Sequence, residues 1–228
     1  MDVALEAGFW DNRLNFEIAY YNNQSDNQLI GTPLPGTTGF TSINANLNAT
    51  VENSGWEICF RSVSIQREHF QWNFSVNLTI PKNRLKAFPG LEGSTYASQL
   101  VIGKPLSIYK LYQLKGVNPE TGLFEFEDFN GDDIITGTAD RQFIADLTPG
   151  YYGSISNSIR YKNWNMDFLF QFVKKKGLNE FYNTEPPGIM FNQPASVLNH
   201  WQESGDKATM QVYTTGWDYD AYEAYSRY

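Results

Sequence analysis

A run of oxygen-bearing side chains has the spacing of a cation-binding loop. Starting at Asp128, side-chain oxygens occupy relative positions 1, 3 and 5, and an apolar residue stands at position 8. An EF-hand loop presents hard oxygen ligands to Ca²⁺ in this order. Asp133 replaces the usual glycine at position 6, and the terminal acid comes one position late. The predicted ligands of this candidate calcium loop are Asp128, Asn130, Asp132, Ile134 and Asp140. The alternative is an Asx-rich loop that hydrogen-bonds its own backbone.

The sequence gives only weak indications of a catalytic site. The chain has 25 Asp and Glu among 228 residues, so neighbouring acids such as Glu125 and Glu127 arise by chance, although a glycosidase pair stays an alternative. There is no nucleophile-elbow motif, and neither His69 nor His200 has the surroundings of a catalytic base. We expect His200 at the surface.

The single cysteine, Cys59, excludes a zinc cluster and an intramolecular disulfide. We predict that the chain is not an enzyme and has no cofactor apart from the candidate Ca²⁺.

Aromatic side chains near the end of the sequence are candidate contacts for a substrate or a partner. Trp201 follows His200, and the segment 217–225 alternates aromatic and acidic residues, beginning with Trp217 and Tyr219. Exposed rings stack on sugars and pack at protein interfaces. The alternative is that this segment packs against other parts of the protein.

Charge and hydropathy exclude two classes of protein. Lys and Arg total 17 against 25 acids, which gives a net charge of −8 and argues against a nucleic-acid partner. No apolar stretch approaches the roughly 20 residues of a transmembrane helix. The mean hydropathy of −0.45 is compatible with a transmembrane barrel, because barrel strands alternate apolar and polar residues.

Two-residue periodicity predicts long strands. In residues 70–80 every even position is apolar and every odd position polar, a length typical of tilted outer-membrane strands. We predict that the face of this strand that carries Trp72 contacts lipid. Weaker alternation marks residues 14–20, 56–61, 154–161 and 164–172. Lys162 and Asn163 separate the last two segments, which predicts a hairpin with Asn163 in a left-handed conformation.

The connections between these strands alternate between long and short. The long ones are residues 22–50, 81–149 and the stretch after 174, and the short ones lie at 66–69 and 162–163. Transmembrane barrels have short periplasmic turns and long external loops, so the alternation predicts an up-and-down barrel topology.

Several short motifs, in order, resemble the SusC-like TonB-dependent outer-membrane transporters of Bacteroidetes. The matching segments are residues 9–15, Tyr20-Tyr21, Leu34-Pro35, Thr38-Gly39-Phe40, 53–57, 116–122, 128–132, 139–141, 149–153, and Trp201 through Gly205-Asp206. They cover nearly the whole chain.

The resemblance implies that residues 1–228 are part of a TonB-dependent receptor β-barrel domain. The implied fold is all-β, with about five antiparallel up-and-down strands of an incomplete transmembrane barrel and long external loops. We expect neither a plug nor the C-terminal closing strands in this chain. Unpaired strand edges would then leave this part alone unable to transport.

The resemblance also implies a function and partners. Such a transporter imports oligosaccharides or peptides across the cell outer membrane. Its partners are a SusD-like lipoprotein, membrane lipid, and the TonB system acting through the plug. Two alternatives stay open. One is a soluble β-rich module that binds glycans, in one version with the help of calcium, and the other is a secreted hydrolase. Neither explains the alternation of long and short connections.

Overall fold

The computed structural model describes residues 1–33, 37, 39, 42–137 and 139–228. The family-like motif Leu34-Pro35 and Thr38-Gly39-Phe40 lies outside the described residues, apart from Gly39. The chain forms two compact units. The first unit comprises Met1–Ile108 and Asp146–Lys176, and the second unit comprises Tyr109–Ala145 and Gly177–Tyr228.

Strands dominate the described residues. In chain order they are β1 (Asp2–Phe9), β2 (Leu14–Ser25), β3 (Gln28–Pro33), β4 (Ser42–Leu47), β5 (Thr50–Gln66), β6 (Phe70–Ala87), β7 (Ile108–Leu111), β8 (Leu114–Val117), β9 (Phe124–Phe126), β10 (Phe143–Asp146), β11 (Tyr151–Tyr161) and β12 (Trp164–Lys174). Short 3-10 turns occur at Leu91–Gly93 and Ala195–Leu198, and one α-helix, α1, spans Tyr219–Ser226.

The main sheet lies in the first unit and has the strand order β1-β2-β5-β6-β11-β12. Each neighbouring pair is antiparallel, which confirms the predicted all-β, up-and-down architecture. The sheet has six strands rather than about five, because β1 also belongs to it. The alternation in β1 is diluted by Ala4, Ala7 and Gly8, so periodicity alone did not separate it from a loop.

Short turns join the sheet strands at one end. Residues 10–13 link β1 to β2, residues 67–69 link β5 to β6, and residues 162–163 link β11 to β12. The prediction for the last turn was wrong in one detail: Lys162, with a φ of 52°, adopts the left-handed conformation instead of Asn163. The Lys162 N–H donates to the His69 carbonyl at 2.8 Å, which ties this turn to the neighbouring one.

The long connections contain structure of their own. The connection after β2 forms the β3–β4 hairpin, and β6 continues to Ala87, beyond the predicted end at residue 80. Five side chains from the ends of β5 and β6 and from the adjoining connections form a small hydrophobic core of the first unit: Ala49, Val51, Leu85, Phe88 and Leu91.

The second unit has a separate core, built from the connection after β6 and the stretch after β12. Its buried members are Phe124, Phe126, Phe181, Val197, Met210, Ala224 and Tyr225. Asp218 begins α1 by accepting a hydrogen bond from the Ala221 N–H, as an N-cap does. Parts of two long connections, Tyr109–Ala145 and Gly177–Tyr228, therefore fold together as one unit.

None of the helices in the described part of the chain has the length and apolar character that a membrane crossing needs.

Candidate functional site

One face of the main sheet is apolar across all six strands, and we call it the apolar face. Register places Phe16 opposite Phe60 and Phe60 opposite Val76, and the Phe16 and Phe60 ring centroids are 4.7 Å apart. Val76 also lies opposite Ile155. Between Phe70 and Ile80 the side chains of β6 on this face are all apolar. Many of these side chains are exposed, including Leu5, Trp56, Met166 and Phe170.

The height of the apolar face matches the hydrocarbon part of an outer membrane. Residues 70–80 span ten steps of about 3.3 Å, and a strand tilt of about 40° projects them onto a height of roughly 25 Å. Two polar side chains within this face are hydrogen-bonded: Asn157 accepts from the Trp72 indole N–H at 3.1 Å, and Ser62 bonds Ser64 at 3.0 Å. Each of these polar side chains therefore has a hydrogen-bond partner within the apolar band, the part of the apolar face level with residues 70–80.

Aromatic rings mark both ends of the apolar face. At the end with the long connections, Tyr20 and Trp56 lie with ring centroids 5.0 Å apart. At the end with the short turns, Phe70 contacts Tyr161, and Trp164 is 79% exposed. Aromatic belts at the two borders of an apolar band are typical of membrane-spanning barrels.

The opposite face of the sheet, the polar face, carries charged and amide side chains. Glu6 lies opposite Glu17, which lies opposite Cys59. Asn77 donates to Ser154 Oγ at 2.8 Å. The period-two pattern thus separates an apolar surface from a polar one, as in the wall of a barrel with a polar interior.

The candidate calcium loop is held by its own side chains. Asp128 accepts from the N–H groups of Gly131 and Asp133 at 2.7 and 2.8 Å. Partial burial acts to raise the pKa of Asp128, but these backbone donors outweigh it and hold the pKa below its usual value. Asp132 accepts from the Ile134 N–H at 2.9 Å.

Asp140 closes this loop from inside. Its side chain is fully buried and accepts from the Phe129 N–H at 2.9 Å and the Thr136 N–H at 2.7 Å. Asn130 donates to Asp132 at 2.8 Å. In the described residues, no group of three or more His, Cys, Asp or Glu side chains converges as a metal site would require. These contacts are those of the Asx-rich alternative, in which the carboxylates order the loop, and the candidate calcium site stays a prediction.

The three predicted aromatic contacts have different surroundings. The Trp201 ring packs on Gly122, where any Cβ would collide with it, and its N–H donates to the Pro119 carbonyl at 2.8 Å. Trp201 therefore holds the Gly116–Gly122 motif segment in place. Trp217 is 81% exposed and stacks on Tyr222 with centroids 4.8 Å apart, and Tyr219 is also exposed. Trp217 and Tyr219 are free to meet another molecule.

The remaining polar candidates have structural partners. Glu125 accepts from Asn118 at 2.7 Å, and Glu127 pairs with Lys115 at 3.4 Å. His200 is half-buried and stacks on Tyr213 with centroids 3.4 Å apart, so the expected surface position was wrong. The stacking depends on a bridge between His200 and Met210, ten residues later in the chain, which the local sequence does not reveal.

Curated relatives match most of the chain. TonB-dependent receptor P3 of Formosa agariphila is 27% identical over 227 residues, covering 88% of this chain. TonB-dependent receptor P26 of the same organism is 26% identical over 232 residues, again covering 88% of this chain. Over most of its length, the chain is similar to TonB-dependent receptors. It spans only 22% and 23% of the length of these two relatives. No protein-family model matches it.

Solved structures share the fold. The RagAB peptide transporter superposes with a TM-score of 0.76 at 21% identity, covering 95% of this chain and 26% of that chain. The RagAB peptide importer in its open-open state gives a TM-score of 0.71. These relatives confirm the resemblance inferred from the motifs, and their names describe receptors and a transporter rather than enzymes.

Proposed function

We propose that this chain is part of an outer-membrane transporter of the TonB-dependent class, which imports oligosaccharides or peptides. The observation that carries the proposal is the apolar face: a band roughly 25 Å high, bordered by aromatic rings and backed by a polar face. A soluble domain would have to cover such a surface, because large exposed apolar patches mark interaction with lipid or protein. The homology to TonB-dependent receptors supports the same conclusion.

The second unit is the proposed contact region for the substrate or for a SusD-like lipoprotein. Its connections leave the sheet at the end opposite to the short turns, which is the external end in a barrel of this kind. Trp217 and Tyr219 supply exposed rings there. The motif resemblance supports a SusD-like lipoprotein as the partner. The likeness to a peptide transporter supports peptides as one substrate class.

Uptake by cells that express the full-length protein tests the proposal. We expect labelled peptides or oligosaccharides to accumulate only when the gene is present, and a protonophore to abolish accumulation because TonB uses the proton gradient. Trp217→Ala with Tyr219→Ala should lower uptake several-fold. Tyr182→Ala, which removes another exposed ring of the second unit, is the matched control. Uptake that is the same in cells without the gene would contradict the transport function.

A further inference from the structure

Cationic side chains continue the apolar face of β6 beyond its apolar band. Lys82 and Arg84 follow Ile80 on the same side of the strand, because side chains alternate and the register with β5 is regular up to Leu85. Both are exposed. Leu85, on the opposite side, is buried in the small core of the first unit, which confirms the alternation.

The neighbouring acid is already paired. Glu52 lies opposite Arg84 on β5, and the Lys86 ammonium lies 3.1 Å from its carboxylate. This hydrogen bond to Lys86 holds the pKa of Glu52 below its usual value. Arg84 contributes to the same lowering, so Lys82, Arg84 and Lys86 together exceed this one acid in charge.

A cavity of about 270 Å³ lies beside these two cations. Ile80 and Pro81 supply apolar atoms to its lining, and Lys82 and Arg84 supply charge. Two acids, Glu52 and Asp146, also line it; Glu52 is paired with Lys86, whereas Asp146 keeps its negative charge and accepts a hydrogen bond from the Thr148 N–H at 2.8 Å. With Lys86 included, three cations and two acids surround the cavity, so apolar surface meets a net positive charge at the border of the apolar band.

Lys174 adds a third cation at the same border. It ends β12, follows Phe172 on the apolar face, and its ammonium lies 5.8 Å from the centroid of the Tyr151 ring. Between this border and the short turns, the β6 side chains on the apolar face carry no charge from Phe70 to Ile80. On this face of β6, positive charge therefore begins at the height where lipid headgroups begin.

We propose that Lys82 and Arg84, with Lys174 nearby, bind the phosphate of an anionic lipid whose acyl chains lie along Leu78 and Ile80. The guanidinium of Arg84 supplies a planar fork that fits phosphate oxygens, and Lys82 supplies a point charge. The inference rests on the proposed function, since it requires the apolar face to lie in a membrane. It names a lipid, not a free phosphate ion, because Ile80, a residue of the apolar face, lines the cavity.

The experiment titrates the full-length protein in detergent with phosphatidic acid and counts bound lipid by native mass spectrometry. Each cation near a membrane surface strengthens binding of anionic lipid about fivefold, so Lys82→Gln with Arg84→Gln should weaken binding about 30-fold. The charge-conserving pair Lys82→Arg with Arg84→Lys should retain most of the binding. The control Arg61→Gln with Lys207→Gln removes the same charge from the polar face and the second unit, and should change nothing.

Three results would overturn the inference. These are equal binding by the wild type and the Gln pair, an equal loss in the control pair, and displacement of the lipid by millimolar inorganic phosphate. Quenching of tryptophan fluorescence by brominated lipid in vesicles separates this inference from the proposed function. Quenching with no preference for phosphatidic acid would refute the lipid site alone. Absence of quenching would refute membrane insertion, and with it both proposals.

Discussion

Arginine at Val76 is the sharpest test of which face meets lipid. Val76 lies one residue from the middle of the apolar band in residues 70–80, between Phe60 on β5 and Ile155 on β11. An arginine on the lipid face near the midplane costs about 2–4 kcal/mol, and the cost falls to about 0–1 kcal/mol near the borders. We therefore expect Val76→Arg to lower the free energy of unfolding by about 3 kcal/mol.

Two matched variants turn this expectation into a depth and orientation series. Ile80→Arg lies at the border of the band on the same face and should cost at most about 1 kcal/mol. Asn77→Arg points to the polar face and loses only its 2.8 Å hydrogen bond to Ser154, a cost of about 1 kcal/mol. The assay is reversible denaturation of the full-length protein in lipid vesicles. Equal costs at Val76 and Asn77, or a cost that does not depend on depth, would refute the assignment of the faces.

Four further predictions concern the loops and the sheet. Asp140→Ala should destabilise the second unit by about 3 kcal/mol in thermal unfolding, because it removes a fully buried carboxylate that accepts from two backbone N–H groups, and Asp220→Ala on the exposed side of α1 is the control. Adding Ca²⁺ should leave the melting temperature unchanged in both the wild type and Asp128→Ala. A rise with Ca²⁺ in the wild type that is absent in the variant would instead support the candidate calcium site. Gly153→Ala should cost about 1–3 kcal/mol, because its Cβ would collide with the Asn77 carbonyl oxygen, whereas Gly150→Ala meets only an ordinary contact at 3.7 Å and should be neutral. Burial raises the pKa of Tyr225 and of Tyr228, so as the pH rises the unfolded chain loses these phenol protons before the folded chain does. The second unit should therefore lose stability above a pH of about 10. A near-UV circular dichroism signal that stays constant above this pH would contradict the expectation.

Local periodicity predicted the strands of the main sheet. The rest of the fold could not be predicted, because it depends on packing between residues that are far apart in the sequence. Residues 70–80 could be assigned because every side chain reports its face, whereas the small residues of β1 do not. The core of the second unit depends on contacts such as Phe124 with Tyr228, whose rings stack 4.4 Å apart although far apart in sequence.

Among the site residues, Trp217 and Tyr219 are exposed, so they remain candidates for contact. The role of Trp201 could not be predicted, because its partner Gly122 lies in another loop. The calcium-like spacing describes the positions of the side-chain oxygens but not the groups that donate to them, and these donors are backbone N–H groups of the same loop.

The shared core of the second unit constrains how such a protein can diversify. Phe124 and Phe126 come from one long connection, and Phe181, Met210 and Tyr225 come from the other. Replacing either connection alone, by recombination or by grafting, would leave half of the core facing water. New contact surfaces should therefore arise by exchange of both connections together with the intervening β11–β12 hairpin, as a single unit that includes residues 109–228.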